Sequence, residues 1–366
     1  MKKKNAGLKK FIVVILIIVG FLFLIKGGEK SKLEVKAWNN IYNENNINMY
    51  YGDTENPKIK ALSNVYRVKE MVNGEESQLD KVLKVVDIVN SIVEFDDVAN
   101  SKNINAFDIL EEKAGLKKVS QRDMGIITRD LILTLDIKAR VGEFKKIKNG
   151  LSEGASYYVV EYWSEEYNKW VMIDFRDKGY IEKDEMPYSA IEIITTLDSS
   201  SKYVGKTDNK KYLKELKRKL DTYTLSIDNS TAMEKSNSYI TYVKDKKDIN
   251  IKLNDKHIPP TVFTENIELF NRSAIDSKIG IDEKAYIILM KKENNNEDEK
   301  VKYESYILGG FKDGKILDNY YIRENNGEFR EVNKYSEAKL VNGINVIELS
   351  LDGMNTISSI EIDYKE

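Results

Sequence analysis

Apolar positions along the chain change their spacing several times, and each change predicts a different element. Residues 11–25 (FIVVILIIVGFLFLI) form one apolar run flanked by lysines. Residues 27–60 are polar and asparagine-rich and read as a spacer. From Leu79 the spacing turns helical, with Leu79, Val82, Leu83, Val86, Val89 and Val93 on one face and Ser77 placed as a cap. A short helix over 106–113 ends near Gly115. The next helix opens at Gln121: Ser120 and Asp123 fit a capping box, and Met124, Ile127, Leu131 and Leu135 make a stripe. IKARVGEF (137–144) reads as a strand. SYYVVEYW (156–163) and KWVMID (169–174) read as a hairpin joined by SEEYN. Tyr212, Leu213, Leu216 and Leu220 mark an amphipathic surface helix. Beyond it, short strands separated by GG, DG, NNG and NG turns predict a C-terminal antiparallel β-sandwich.

Composition limits what this arrangement can do. A length of 366 residues suggests about two domains. Lys+Arg 58 against Asp+Glu 60 leaves a net charge of −2. Six lysines and no acid fall within residues 1–26, so the remainder is mildly acidic. Nucleic-acid binding needs a clustered basic footprint, which this body lacks. With no cysteine and a single histidine, His257, disulfides, thiolate-held metal and imidazole-rich metal sites are excluded. No acidic calcium loop of D-x-[DN]-x-[DN]-G form occurs, so no metal or cofactor is implied.

The lysine-flanked apolar run predicts a single-pass transmembrane helix, with the amino terminus cytoplasmic and the body extracellular. A cleaved signal peptide and secretion is the alternative, although IKGGEKSK after the run has no small-x-small site.

The stretch from Gly115 to Asp174 resembles the catalytic core of transglutaminase-like cysteine enzymes. In that family a cysteine opens the central helix in a phrase like C-x-D-x-A, followed by G-I-x-A-R. A strand with H-x-V-x-E-V-Y and another with W-x-x-x-D complete the pattern. This chain has Q-R-D-M-G at 121–125, D-I-K-A-R at 136–140, Y-Y-V-V-E-Y-W at 157–163 and W-V-M-I-D at 170–174. Gln121 falls on the cysteine, Tyr157 on the histidine and Asp174 on the aspartate. The resemblance implies an α+β, papain-like core over 61–200, joined by a helix and strands at 201–258 to an immunoglobulin- or fibronectin-like sandwich at 259–366. It is similar beyond the core to bacterial proteins that carry such a β-rich tail.

In the family, a thiol at a helix N-terminus is acidified by the macrodipole and works with the histidine, which the aspartate orients. A carboxamide at 121 is no nucleophile, and a phenol of ordinary pKa near 10 is no base near neutrality. Ser120 is adjacent but reads as an N-cap. Tyr157 over Asp174 is expected to make a neutral hydrogen bond, extended to the Gln121 amide. Glu161, Trp163 and Trp170 are candidate cleft-lining residues, with packing as the plainer reading of both tryptophans. The expectation is a membrane-anchored pseudoenzyme at the bacterial cell surface that binds a cell-wall peptide, polysaccharide or surface protein. The alternative is a cell-envelope hydrolase using carboxylates such as Glu161 or Asp177 in the same cleft.

Overall fold

The computed structural model describes residues 33–146, 156–246, 249, 251, 260–275, 280–291 and 305–365. The apolar run at 11–25, His257 and the charged run at 293–300 lie outside the described residues.

A six-stranded sheet forms the centre. Its order is Thr261–Thr264, Tyr239–Val243, Thr222–Ser226, Ala139–Lys145, Tyr157–Ser164 and Lys169–Ile173, antiparallel except for the first pair. Strands buried on both faces read as nearly continuous apolar runs, and residues 159–164 are all buried. Successive side chains alternate between faces. Val160, Tyr162, Val171 and Ile173 meet Val82, Val86, Ile127 and Leu131 from a helical layer made of Pro57–Tyr66, Gln78–Ile92, Ala106–Lys113 and Gln121–Leu133. Phe144, Val159, Met172 and Tyr223 meet Ile191, Ile194, Tyr212 and Leu216 from Ala190–Thr196 and Asn209–Lys217 on the other face.

Each major helix starts where its sequence supplies an oxygen for a free N–H. Asn56, Ser77, Asn105, Ser120, Ser189 and Asp208 all accept from the backbone three residues on, or two in the case of Asn56. One glycine in the central sheet has a steric reason. A Cβ on Gly142 would fall 2.0 Å from the Tyr223 hydroxyl, which crosses there to reach Glu161 at 2.6 Å.

The C-terminal strands form two further sheets. One has the order Leu33–Asn39, Ser358–Tyr364, Gly343–Ser350, Asn319–Glu324, Arg330–Asn333. The other is built on Tyr286–Lys291 and Ser305–Lys312, with Tyr335–Lys339 paired to the latter. Their facing side chains, including Ile287, Leu308, Ile322, Leu349 and Ile360, share one core.

Three expectations are corrected. The architecture of a transmembrane helix, a transglutaminase-like core and a separate sandwich gives way to a mixed α/β fold with eight helices among the described residues. No described helix is long and apolar enough to cross a membrane, which goes against the single-pass placement with the body outside as far as the described residues reach; the run at 11–25 that carried that expectation lies outside them. The longest, Gln78–Ile92, has 15 residues and carries Asp80, Lys81, Lys84 and Asp87 on its outer side. The boundaries also differ from those read in the sequence. Leu33–Asn39, inside the stretch read as a spacer, is an edge strand paired with Ser358–Tyr364 at the far end of the chain. Tyr42 and Ile47 are fully buried in the same core as Phe144, Tyr223, Tyr286 and Phe311, so that core runs from the central sheet into the C-terminal strands. Thr222–Ser226 and Tyr239–Val243, read as a connection, are inner strands of the central sheet. Apolar residues scattered in polar sequence gave no local sign of such distant pairing.

Candidate active-site remnant around Tyr157 and Asp174

Gln121 is the first residue of the central helix, a 13-residue element over Gln121–Leu133. Ser120 caps it by accepting from the Asp123 N–H at 3.2 Å. The reciprocal half of a capping box is absent, because the buried Asp123 carboxylate accepts instead from the Ser101 N–H at 2.8 Å and from Arg122 at 3.0 Å. Replacing Ser120 by alanine should cost about 0.5–2 kcal/mol through the lost cap, measurable by urea denaturation. An unchanged midpoint would contradict the capping role.

The Gln121 Nε2 donates to the Tyr158 carbonyl at 3.1 Å, which ties the helix start to the neighbouring strand. It is that backbone oxygen, rather than the Tyr157 or Asp174 side chain, that the carboxamide engages. Tyr157 and Asp174 do meet. The Tyr157 hydroxyl donates to Asp174 Oδ2 in a short hydrogen bond. Asp174, 1% exposed, accepts on its other oxygen from the Arg176 N–H at 3.0 Å and the Asp177 N–H at 3.3 Å. These bonds follow from the turn after Lys169–Ile173, where Asp174 also bridges to Gly179 through the backbone.

An aromatic and charged shell surrounds the pair. The Tyr212 hydroxyl lies 3.3 Å from that of Tyr157, and the Tyr212 ring stacks on Tyr203 with centroids 3.4 Å apart. Tyr203 donates to Asp177 at 2.5 Å, and Thr207 adds an N–H at 2.9 Å and a hydroxyl at 2.8 Å. The Arg176 guanidinium sits 4.5 Å over the Tyr157 ring and 5.5 Å from that of Phe95, with its Nε 4.0 Å from Asp174. That buried Nε has no hydrogen-bond partner among the described residues.

Burial and neighbouring carboxylates hold the phenols of this cluster in their protonated form near neutrality. Burial, then the Asp174 charge, pushes the Tyr157 phenol well above its ordinary value, with Arg176 pulling weakly the other way. Tyr212 is raised by burial and by Asp174, and Tyr203 by burial and its bond to Asp177. Burial works to raise Asp177, but its bonds from Tyr203 and Thr207 outweigh that and hold it below the usual carboxylate range. The cluster thus holds neutral phenols against carboxylates whose lone pairs are already engaged. Replacing Tyr157 by phenylalanine keeps the ring under Arg176 but leaves one buried Asp174 oxygen unpaired. We expect a loss of about 1–3 kcal/mol in denaturant unfolding; a neutral outcome would mean that the hydroxyl is dispensable there.

The other residues singled out from sequence are placed elsewhere. Glu161, fully buried, accepts from Arg140 Nε at 2.7 Å, the Tyr223 hydroxyl at 2.6 Å and the Ala190 N–H at 2.8 Å. Trp170, 1% exposed, has the Arg140 guanidinium 3.9 Å from its ring and donates to the Arg272 carbonyl at 2.8 Å. Trp163 meets it edge-on at 5.6 Å. Glu161 is thus tied to the start of Ala190–Thr196, and the two tryptophans pack on each other beside Arg140 and Tyr51. Sequence reasoning missed Arg176, Tyr203 and Tyr212. Tyr212 showed only as an apolar position of an amphipathic helix, and nothing in the sequence pointed to the other two.

No family model matches the chain, and no curated protein matches it. Among solved structures, a candidate cysteine protease from Cytophaga hutchinsonii is similar at 22% identity, over 32% of this chain and 37% of that one, with a TM-score of 0.26. The matched region is thus little more than a third of that protein's length.

Proposed function

We propose that the chain is a transglutaminase-like protein that has lost thiol chemistry and acts by binding or scaffolding instead of turnover. The observation that carries this reading is the Tyr157–Asp174 hydrogen bond. It puts a neutral phenol of raised pKa against the carboxylate that would otherwise orient an imidazole, so the residue at the histidine position is no base at neutral pH. Gln121, at the start of the central helix, offers a carboxamide where that chemistry needs a nucleophile, and the chain has no cysteine to replace it. A carboxylate-based hydrolase in the same place is disfavoured, because Glu161 has both oxygens committed inside the core and Asp177 accepts three hydrogen bonds.

The test is to assay the purified protein for amidase, protease and transamidase turnover. The expected result is background rates, unchanged by Gln121→Ala. Turnover that this substitution abolishes would overturn the reading.

A further inference from the structure

A second site lies at the opposite end of the Tyr157–Ser164 strand, about 20 Å away for six residues of extended chain. There the Trp163 N–H bonds to the Lys138 carbonyl, just before Ala139–Lys145. A cavity of about 370 Å³ opens beside it, with Lys138, Lys235, Ser230, Tyr50 and Tyr51 in its wall.

Its cations differ from several lysines elsewhere that face a carboxylate. Lys58, Lys118 and Lys178 each pair with an aspartate at 2.5–2.7 Å. Lys138 is half-buried and has no ion pair among the described residues; its ammonium donates to the Gly52 carbonyl at 3.0 Å, leaving two protons unused. Lys235 also has no ion pair there and is exposed. The Ser230 hydroxyl accepts from the Met233 N–H at 3.2 Å, so its own proton is free to donate. Tyr51 is held in place by its ring contact with Trp170, 5.3 Å between centroids. The phenol is raised by burial, with the charge and hydrogen bond of Arg140 pulling the other way, so the Tyr51 hydroxyl is engaged toward Arg140 in the core. One acid, Glu234, stands exposed among the lining residues and offsets one of the two ammonium charges.

Two ammonium groups and a hydroxyl with a spare proton around one concave space form a donor set opposed by the single carboxylate of Glu234. We propose that this cavity is a binding site for a small ligand bearing a carboxylate or phosphate, gripped by Lys138 with Lys235 and Ser230 beside it. It is independent of the Tyr157–Asp174 cluster and of whether that cluster turns anything over.

The experiment is calorimetric titration of the full chain at low ionic strength with two probes, inorganic phosphate and acetate. We expect saturable binding of at least one, and the comparison shows which oxyanion is preferred. Added sodium chloride should weaken it by screening. Lys138→Met should reduce the affinity about tenfold or more, the effect of removing one charge-assisted hydrogen bond. Lys235→Met, a surface change that leaves the Gly52 contact alone, should weaken it in the same direction and carries the test should Lys138→Met not fold. Lys202→Met, at a lysine paired with Glu182 outside the cavity, should leave affinity unchanged. Absence of saturable binding by both probes, or affinity unaltered in the folded cavity variants, would overturn the site.

Discussion

Replacing Glu161 by alanine is expected to destabilise the fold by about 3–5 kcal/mol, one of the two largest effects expected for this chain. Glu161 has no exposed surface, and its oxygens accept from Arg140, Tyr223 and Ala190. Its removal leaves the Arg140 guanidinium, 1% exposed, with the Phe270 carbonyl at 2.7 Å, the Trp170 ring and Tyr51 around it but no carboxylate against it among the described residues. One Arg140 nitrogen already has no partner among the described residues, so the site has little spare capacity to compensate. Domains of ordinary stability have about 5–15 kcal/mol in total, so much of the protein would unfold under mild denaturant. Urea denaturation followed by circular dichroism measures this. Glu161→Gln should fall in between, since it keeps an acceptor for Ala190 but loses the charge. A change below about 1 kcal/mol for the alanine variant would show that the pair contributes nothing net, as happens when desolvation cancels attraction.

Trp170→Ala should cost about 3–5 kcal/mol, through the cavity left by a large buried ring. Trp170 touches Trp163, Tyr51 and Arg140 and anchors the Arg272 carbonyl. Because Glu161 and Trp170 both bear on Arg140, the double variant should lose less than the two single losses combined. Strict additivity would argue against a shared cluster. Both outcomes also bear on the site: were Trp170 a ligand platform, its loss would lower binding with little change in stability.

Much of the middle of the chain was legible before any coordinates. The helix beginning at Gln121, its Ser120 cap and the Ser77 cap all follow from local chemistry, because a hydroxyl three residues before a free N–H can be recognised without knowing the fold. The hairpin of Tyr157–Ser164 and Lys169–Ile173 was equally visible as two apolar runs around a polar turn. The aspartate after it could be paired in advance with Tyr157, and that bond is present. The Gln121 amide was expected to join them, yet it engages a backbone carbonyl. A side chain with two hydrogen-bonding ends takes whichever partner packing brings within reach, and sequence does not rank those partners.

Burial was harder to read than pattern. Glu161 and Trp170 were candidate cleft residues because charged and aromatic side chains on a strand can face either a cleft or a core, and only the layer packed on that face decides. Here Ala190 meets Glu161, and Tyr51 and Arg272 meet Trp170, so both are interior. The edge strand Leu33–Asn39 was invisible for a different reason. Its partner lies at the other end of the chain, and a short strand amid polar residues has no local period strong enough to announce it.

Sequence by itself determined the chemistry this protein cannot perform: without cysteine, and with one histidine far from the helix start, thiol catalysis is excluded by composition alone. It also determined where the helices capped by Ser77 and Ser120 begin, since capping depends on neighbours within four residues. The tertiary structure alone decided that Tyr203, Tyr212 and Arg176 close around Tyr157, that Glu161 is spent on Arg140, and that Lys138 has no carboxylate partner among the described residues. Each of those facts depends on contacts between residues distant in the chain, which burial and the exclusion of water select and which no local pattern encodes.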